Sequence, residues 1–475
     1  MKGEEQIWSA DEIYRATGGR LVAGRKDVSC KGISTDSRTV KKGNCFVALP
    51  GEKYDGHAFI QKALNNGAKG LVVSESYISD ISDRPLDWAG VYVIAVPDTL
   101  KALGDIATFH RERSRVSVVA ITGTNGKTTT KEMTARILER SFSVLKTRGN
   151  FNNLIGLPLT LLRLNPAHEW AVLELAMNHP GEIERLARIC NPQLGVITNI
   201  APGHLEGVRD LDGVMHAKGE LLEVLGEGGT AILNIDDPKV CQLAERFPGR
   251  VVPFGVHRAA EVWAVPFHHT ASGCSFDLHW QNMATRVHLR TPGLGAIYNA
   301  VASAAVGYQL GLSIDEVKEG LESTPSVPGR MTILDLPGGI HLIDDTYNAN
   351  PGSMTQAIET LTELKGNSRG ILITGDMLEL GEHSVAAHKE LGALAAKSDI
   401  SHLYATGEFA KTVAEGAKRA GMNGKQVSVC NPEEIVKEVT KRLAPGDWVL
   451  VKGSRLMAME RIVDALRAKS ITRNQ

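Results

Sequence analysis

The segment Val116-Ser-Val-Val-Ala-Ile-Thr-Gly-Thr-Asn-Gly-Lys-Thr-Thr-Thr130 constrains this chain more than any other. Its apolar, mostly β-branched half predicts a strand buried on both faces. Gly123 and Gly126 then turn the chain, and Lys127 opens a helical pattern with three threonines behind it. Strand, glycine turn and helix start, in that order, bring backbone N–H groups, the positive end of a helix dipole, an ammonium and hydroxyls to one point. That is a cradle for polyphosphate and Mg2+. Gly123, Thr124, Asn125, Gly126, Lys127, Thr128 and Thr129 form it, with Lys127 expected on the β- and γ-phosphates and the Thr128 hydroxyl on Mg2+. Ile121 stands where a strict Walker sequence has glycine. A glycine turn before an ordinary helix is the weaker reading.

A chain of 475 residues exceeds one typical core and fits about three domains. The fold class expected is α/β throughout, with domains at 1–113, 114–327 and 328–475. The first is a smaller α/β domain, with strand-like runs at 45–49, 70–73 and 91–96 and helical patterns at 57–66 and 100–113. In the central domain, apolar runs at 170–175, 194–200 and 230–235 alternate with helices, which predicts a mostly parallel sheet. Polar–apolar alternation over 251–289 predicts a small antiparallel patch. Two prolines and a glycine in Thr324-Pro-Ser-Val-Pro-Gly329 mark the second boundary. Strand runs at 340–345, 370–374, 402–406 and 448–452 make the third domain a doubly wound α/β unit. It has no GxGxxG, so a dinucleotide is not expected.

Composition narrows the function classes. Hydrophobic content of 43% and charged content of 23% are those of a soluble globular protein. A net charge of -1 supplies no basic field, so nucleic acid is not an expected partner. The six cysteines are far apart with no CxxC pair, which argues against a zinc site or disulfide scaffold and fits a reducing compartment. The first residues, MKGEEQIWSADEIYRATGG, hold no apolar signal core, and no run is long enough to span a bilayer. A cytoplasmic location without membrane insertion is expected.

Polar residues at the carboxyl ends of strands are the candidates for chemistry, because ligands of open α/β sheets gather there. Glu174 interrupts the apolar run Ala171-Val-Leu-Glu-Leu-Ala176; a carboxylate in a buried strand needs a cation or an ion pair. His204 follows the 194–200 run and is a competent metal ligand, or a plain hydrogen-bonding loop residue. Lys218, in His216-Ala-Lys-Gly-Glu220, reads by spacing as a solvated helix residue. Gly149-Asn-Phe-Asn-Asn-Leu-Ile-Gly156 offers the amides of Asn150, Asn152 and Asn153 for phosphate or substrate, or for Asx turns.

Along essentially its whole length the chain resembles the Mur ligases, the ATP-dependent amide-forming enzymes of peptidoglycan synthesis. The phosphate loop is similar to their TGTNGKT form. Five further passages carry the resemblance: Ser34-Thr-Asp-Ser-Arg38, Gly149-Asn-Phe-Asn-Asn153, Asp344-Asp-Thr-Tyr-Asn-Ala-Asn-Pro351, Gly375-Asp-Met-Leu-Glu-Leu-Gly-Glu382 and Val451-Lys-Gly-Ser-Arg455. They point to the branch that joins D-alanyl-D-alanine to UDP-N-acetylmuramoyl-tripeptide. The resemblance implies that Thr35, Asp36, Ser37 and Arg38 hold the uridine nucleotide. It implies Mg2+, two ions, on Glu174 and His204 together with Thr128 and a Lys218 carbamylated by CO2. That modification would replace a cation that repels Mg2+ with oxygen ligands. Asn299 matches an adenine-side residue, and Arg330 an arginine that meets the ATP phosphates. Asp345, Tyr347 and Asn348 fall where the third domain meets the nucleotide. Lys452, Ser454 and Arg455 are candidates for the dipeptide or the acceptor's peptide end. Family members are generally monomers, and a monomer is expected.

One departure stands out. The family's Arg-His-Asn run before Asn299 is replaced here by Leu294, Gly295 and Ala296, so adenine contacts made there must be absent or come from other residues. The alternatives at this level are a sister ligase, including the folylpolyglutamate synthase relative, a phosphate-loop ATPase or kinase, and a nucleotide-gated binding module. The third residue of the acceptor peptide, meso-diaminopimelate or lysine, is not readable.

Overall fold

The computed structural model describes residues 7–51, 53–80, 90–270 and 272–472. They gather into two compact units: Met1–Ala120 with Ser141–Met177 and Gly181–Leu194, and Ile121–Arg140 with Asn178–Pro180 and Gly195–Gln475. The phosphate-loop strand Ser117–Thr122 gives its first residues to one and its last to the other.

The first unit holds a five-stranded sheet in the order Arg20–Ala23, Tyr92–Val96, Gly70–Ser74, Cys45–Val47, Ile33–Ser34, antiparallel at its first pair and parallel after it. Its inner strands are buried on both faces, as continuous apolar runs require. Val72, Ile94 and Val96 pack on one side with Leu103 and Ile106 of the helix Thr99–Glu112, while Leu71, Val73 and Val93 pack on the other with Ile60 and Ala63. Trp170–Glu174 and Val144–Lys146 pair in parallel in the same unit. The expected helix at 57–66 divides into a 3-10 turn, Gly56–Phe59, and a helix, Ile60–Asn65.

In the second unit Thr230–Asn234 pairs in parallel with Arg250–Gly255. The antiparallel patch starts later than the alternation at 251 predicts: Arg250–Gly255 belongs to the parallel part, and only Val262–Thr270, Gly273–Trp280 and Met283–Leu289 form a meander. Val252 and Phe254 alternate like a half-exposed strand, yet the hydrogen-bond partner, not the pattern, sets the direction. A six-stranded sheet follows, in the order Thr332–Leu336, Ile340–Asp345, Trp448–Lys452, Gly370–Thr374, His402–Ala405, Val427–Val429, parallel after its first antiparallel pair. Its four central strands are those expected from the sequence, and the two outer ones, Thr332–Leu336 and Val427–Val429, are its edges. Among the described residues no helix is long and apolar enough to cross a membrane.

The phosphate-loop helix, Lys127–Leu138, is seated by glycines of other helices. A Cβ on Gly320 would lie 2.6 Å from the Ile137 Cα, and one on Gly307 3.2 Å from its Cγ2. Close helix approach needs small residues there.

Candidate active site

The loop after the strand is built from glycines that accept no side chain. Gly123 has φ +142°, and a Cβ on it would fall 1.9 Å from Thr198 Oγ1; Gly126 has φ +85°, with Asn299 Oδ1 2.1 Å from the added atom. Ile121 is fully buried in the strand, which accounts for the departure from the Walker pattern: the turn begins only at Gly123. The segment after the strand Leu194–Ile197 clamps the loop. Asn125 N–H donates to Asn199 Oδ1 at 3.0 Å, and its carbonyl accepts from Thr198 Oγ1 at 2.6 Å and Asn199 Nδ2 at 3.0 Å. Thr124 N–H donates to the Asn199 carbonyl at 3.0 Å, while its hydroxyl bonds the Ala201 carbonyl and accepts from the Ala201 N–H, both at 3.0 Å.

The helix starts with Gly126 at its cap and no side-chain cap, so its first-turn amides are available to an anion. Lys127 Nζ folds back on the Gly123 and Thr124 carbonyls at 2.8 and 3.1 Å, which holds the ammonium at the loop mouth. Asn299 abuts Gly126 and accepts from Thr130 Oγ1 at 3.3 Å. Gly126→Ala is expected to strain the left-handed turn and push Asn299 away, costing about 1–3 kcal/mol of stability and raising the KM for ATP. Denaturant unfolding and an ATP titration check this; a wild-type midpoint with a wild-type KM would refute it.

In the second unit Lys218 lies on the helix Leu211–Leu225 and is 1% exposed, so the solvated position that spacing predicts is corrected to a core one. Gly219 beside it lets the helix lie against Leu243, 2.9 Å from a Cβ placed there, and this buries the lysine's turn. Burial first, then the Lys127 ammonium, pushes the Lys218 amine well below the usual lysine value. His204 caps a short helix with φ 55°. Its Nδ1 lies 2.7 Å from Glu379 Oε2 in an ion-pair contact, though not in line for a hydrogen bond. The His204 imidazole, with the Lys127 ammonium adding to it, holds the Glu379 carboxyl below its usual range against the opposing pull of burial.

Arg330 reaches Thr128 Oγ1 at 3.4 Å and lies over the Tyr347 ring at 4.0 Å, with its Nε buried and lacking a partner among the described residues. Asn350, the cap of the helix Pro351–Lys365, donates from Nδ2 to Asn125 Oδ1 at 2.8 Å. Asp345 accepts from Lys452 Nζ at 2.5 Å and from Met331 N–H at 3.1 Å. Lys452 is 2% exposed and donates also to the Asn348 carbonyl at 2.9 Å; burial lowers its ammonium and Asp345 partly offsets the shift. Ser454 accepts from Leu378 N–H at 2.9 Å and bonds the Ala349 carbonyl, whereas Arg455 is exposed beside Glu460. Lys452 and Ser454 thus tie the Asp344–Pro351 motif to its sheet, and Arg455 and Asn348 stay open to solvent.

In the first unit Glu174 ends the strand Trp170–Glu174, 2% exposed. Its Oε1 accepts from Asn152 Nδ2 at 2.8 Å and its N–H donates to Thr147 Oγ1 at 3.1 Å; Oε2 is buried without a partner among the described residues. An orphaned buried carboxylate oxygen suits a cation. Asn153 is taken by a turn, accepting from Gly156 and Ile155 N–H, and Asn150 is exposed. Arg38 forks onto Asp36 at 2.8–3.2 Å and holds its carboxyl down at about 2. Ser37 is buried with its carbonyl bonded by Asn66, and Thr35 is half-buried.

Sequence reasoning missed Thr198, Asn199, Asn350 and Glu379. Only Asn350 carried a signal, a cap residue before proline at a helix start.

Family models match the chain in three stretches: Mur ligase family, catalytic domain, over residues 29–111; Mur ligase middle domain over 121–307; and Mur ligase, glutamate ligase domain, over 329–455. The UDP-N-acetylmuramoyl-tripeptide–D-alanyl-D-alanine ligase of Escherichia coli K12 is 37% identical over 93% of this chain and 94% of its own length. A crystal structure of MurF from Acinetobacter baumannii superposes with a TM-score of 0.88 at 32% identity, covering 98% of this chain and 99% of that one. MurF ligase from Thermotoga maritima, solved in complex with ADP, superposes with a TM-score of 0.82 at 29% identity over 93% and 98% of the two chains. The chain therefore belongs to the Mur ligase family.

Proposed function

We propose that this chain joins D-alanyl-D-alanine to the free carboxyl end of UDP-N-acetylmuramoyl-tripeptide, with ATP converted to ADP and phosphate, to give the pentapeptide precursor of peptidoglycan. The observation that carries the reading is the second unit's own arrangement. There the uncapped helix start, Lys127, Arg330 and the Asp344–Pro351 motif converge on one phosphate loop. The substrates follow from relatives of that activity aligned along nearly the whole chain. The three-domain division at 113/114 and 327/328, the cytoplasmic location and the monomeric state are part of this proposal.

The acceptor carboxylate attacks the γ-phosphorus of ATP, forming an acyl phosphate and releasing ADP. The dipeptide amine then attacks the acyl carbonyl, and the tetrahedral intermediate expels phosphate. The first step brings two anions together, so positive groups fixed beforehand lower its barrier. Lys127 and the amides of the first helical turn take the charge of the phosphates, and Arg330, steadied on Tyr347, adds a second positive charge, on a guanidinium, at Thr128. Thr128, His204 and Lys218, in the second unit, are the residues that would hold Mg2+ there; Glu174, in the first unit, is by itself assigned to Mg2+. They fit it: Glu174 has an orphaned buried oxygen, and a Lys218 amine depressed by burial is the neutral nucleophile that adds CO2 to become a carbamate. When bound, Mg2+ neutralises the phosphate oxygens. Thr35, Asp36, Ser37 and Arg38 in the first unit are assigned to the uridine nucleotide, and Asn150, Asn152 and Asn153 to the acceptor. In the second unit Asn299, Asp345, Tyr347 and Asn348 are assigned to the nucleotide, and Lys452, Ser454 and Arg455 to the region of the dipeptide.

Purified protein with ATP and each UDP-tripeptide, meso-diaminopimelate or lysine at the third position, is expected to release one phosphate per peptide bond with D-alanyl-D-alanine and none with single amino acids. Phosphate release without a pentapeptide would return the chain to the phosphate-loop ATPases.

A further inference from the structure

Two residues without glycine's freedom take left-handed backbone and meet side chain to side chain: His204 at φ 55° and Glu379 at φ 63°. L-residues adopt that region at a cost, and it persists where the surroundings over-determine it, often at functional sites. The surroundings do so here. Glu379 stands between Met377 and Leu380, each 1% exposed, and is the outward-facing member of its turn. Asp376 fixes the start of that turn by accepting Glu408 and Phe409 N–H at 2.7 and 3.0 Å, and Leu378 N–H is held by Ser454. On the other side Gly203 abuts the phosphate loop, 3.0 Å from Thr124 Cγ2 to an added Cβ, so His204 leaves the loop at a fixed point. Backbone contacts repeat the match: Glu206 N–H donates to the Glu379 carbonyl at 3.2 Å, and His383 Nε2 lies 3.3 Å from the Arg209 carbonyl, Arg209 also at positive φ. An adventitious surface pair would need none of this strain.

We infer that Glu379 is a positioning residue for His204. Its carboxylate lies 2.7 Å from Nδ1 in an ion-pair contact, favours a proton on that nitrogen by its charge, and leaves Nε2 with its lone pair for a metal ion. A carboxylate behind a ligating imidazole orients the ring and raises its basicity, and its loss weakens metal binding about 10- to 100-fold. The segment Gly375-Asp-Met-Leu-Glu-Leu-Gly-Glu382 would thereby couple its own docking on the 204–209 turn to completion of the ion site. The inference rests on His204 being a metal-holding residue, as proposed above.

Mn2+ binding to the full-length protein with ADP, followed by electron paramagnetic resonance, separates the two ideas. Glu379→Ala and Glu379→Gln, which both remove the charge beside Nδ1, are each expected to weaken one Mn2+ about 10- to 100-fold. Without metal, the 15N signals of the His204 ring should show Nδ1–H in the wild type and lose that preference in Glu379→Ala, with the melting temperature and the KM for D-alanyl-D-alanine unchanged. Unaltered Mn2+ affinity in Glu379→Ala beside a weakened His204→Ala would overturn the positioning role alone. Unaltered affinity in His204→Ala would overturn the ligand assignment beneath it. A Glu379→Gln that binds Mn2+ as tightly as wild type would show that the carboxylate charge is not needed, and would also overturn it.

Discussion

Lys127→Ala is expected to reduce ADP formation by about 10^2- to 10^3-fold or more, the scale on which a preorganised donor to a developing phosphate charge acts. The fold should survive the change. The lysine's bonds are to the Gly123 and Thr124 carbonyls at the loop mouth, whereas the loop is clamped independently by Thr198, Asn199 and Ala201. A melting temperature within a few degrees of wild type together with a collapsed rate of phosphoryl transfer is the expected pair of results. Near-normal turnover would show that the triphosphate is bound elsewhere.

Lys218→Met should abolish ligation on a similar scale while leaving a protein as stable as wild type at neutral pH, or more so. The reason is linkage. The buried amine has a folded value below its unfolded one, so between the two values the unfolded chain carries a proton that the fold rejects. Stability rises with pH wherever the unfolded state binds more protons. The wild type should therefore gain on the methionine variant by about 1.4 kcal/mol per pH unit between the depressed value and the free lysine value near 10.4, and stop gaining above it. Unfolding in CO2-free buffer from pH 7 to 10 measures the difference. A flat difference would mean that Lys218 stays protonated in the fold. Short carboxylic acids added to a Lys218→Ala variant should restore part of the activity if a carbamate is the working form; absence of both rescue and bicarbonate dependence would remove it.

The sequence disclosed most where chemistry and local structure coincide. The phosphate loop is legible because strand, turn and helix start are contiguous, and Glu174 because a carboxylate in an apolar strand is conspicuous. Lys218 misleads because its burial comes from Gly219 and Leu243, a packing detail that helical periodicity does not encode. Arg250–Gly255 misleads because alternation reports exposure and not strand direction. Val144–Lys146 and Val427–Val429, three residues each, are too short to have a period, and Thr332–Leu336, mostly half-buried, shows no continuous apolar run. Contacts such as Asn125 with Asn350 and His204 with Glu379 join residues far apart in the chain, which no local signal can announce.

The bond between the Asn125 and Asn350 side chains has a consequence for solution behaviour. It links two neutral amides, so dissolved ions do not screen it as they screen exposed charge pairs. High ionic strength should accordingly weaken capture of the triphosphate while this amide bond of the helix Pro351–Lys365 to the loop persists.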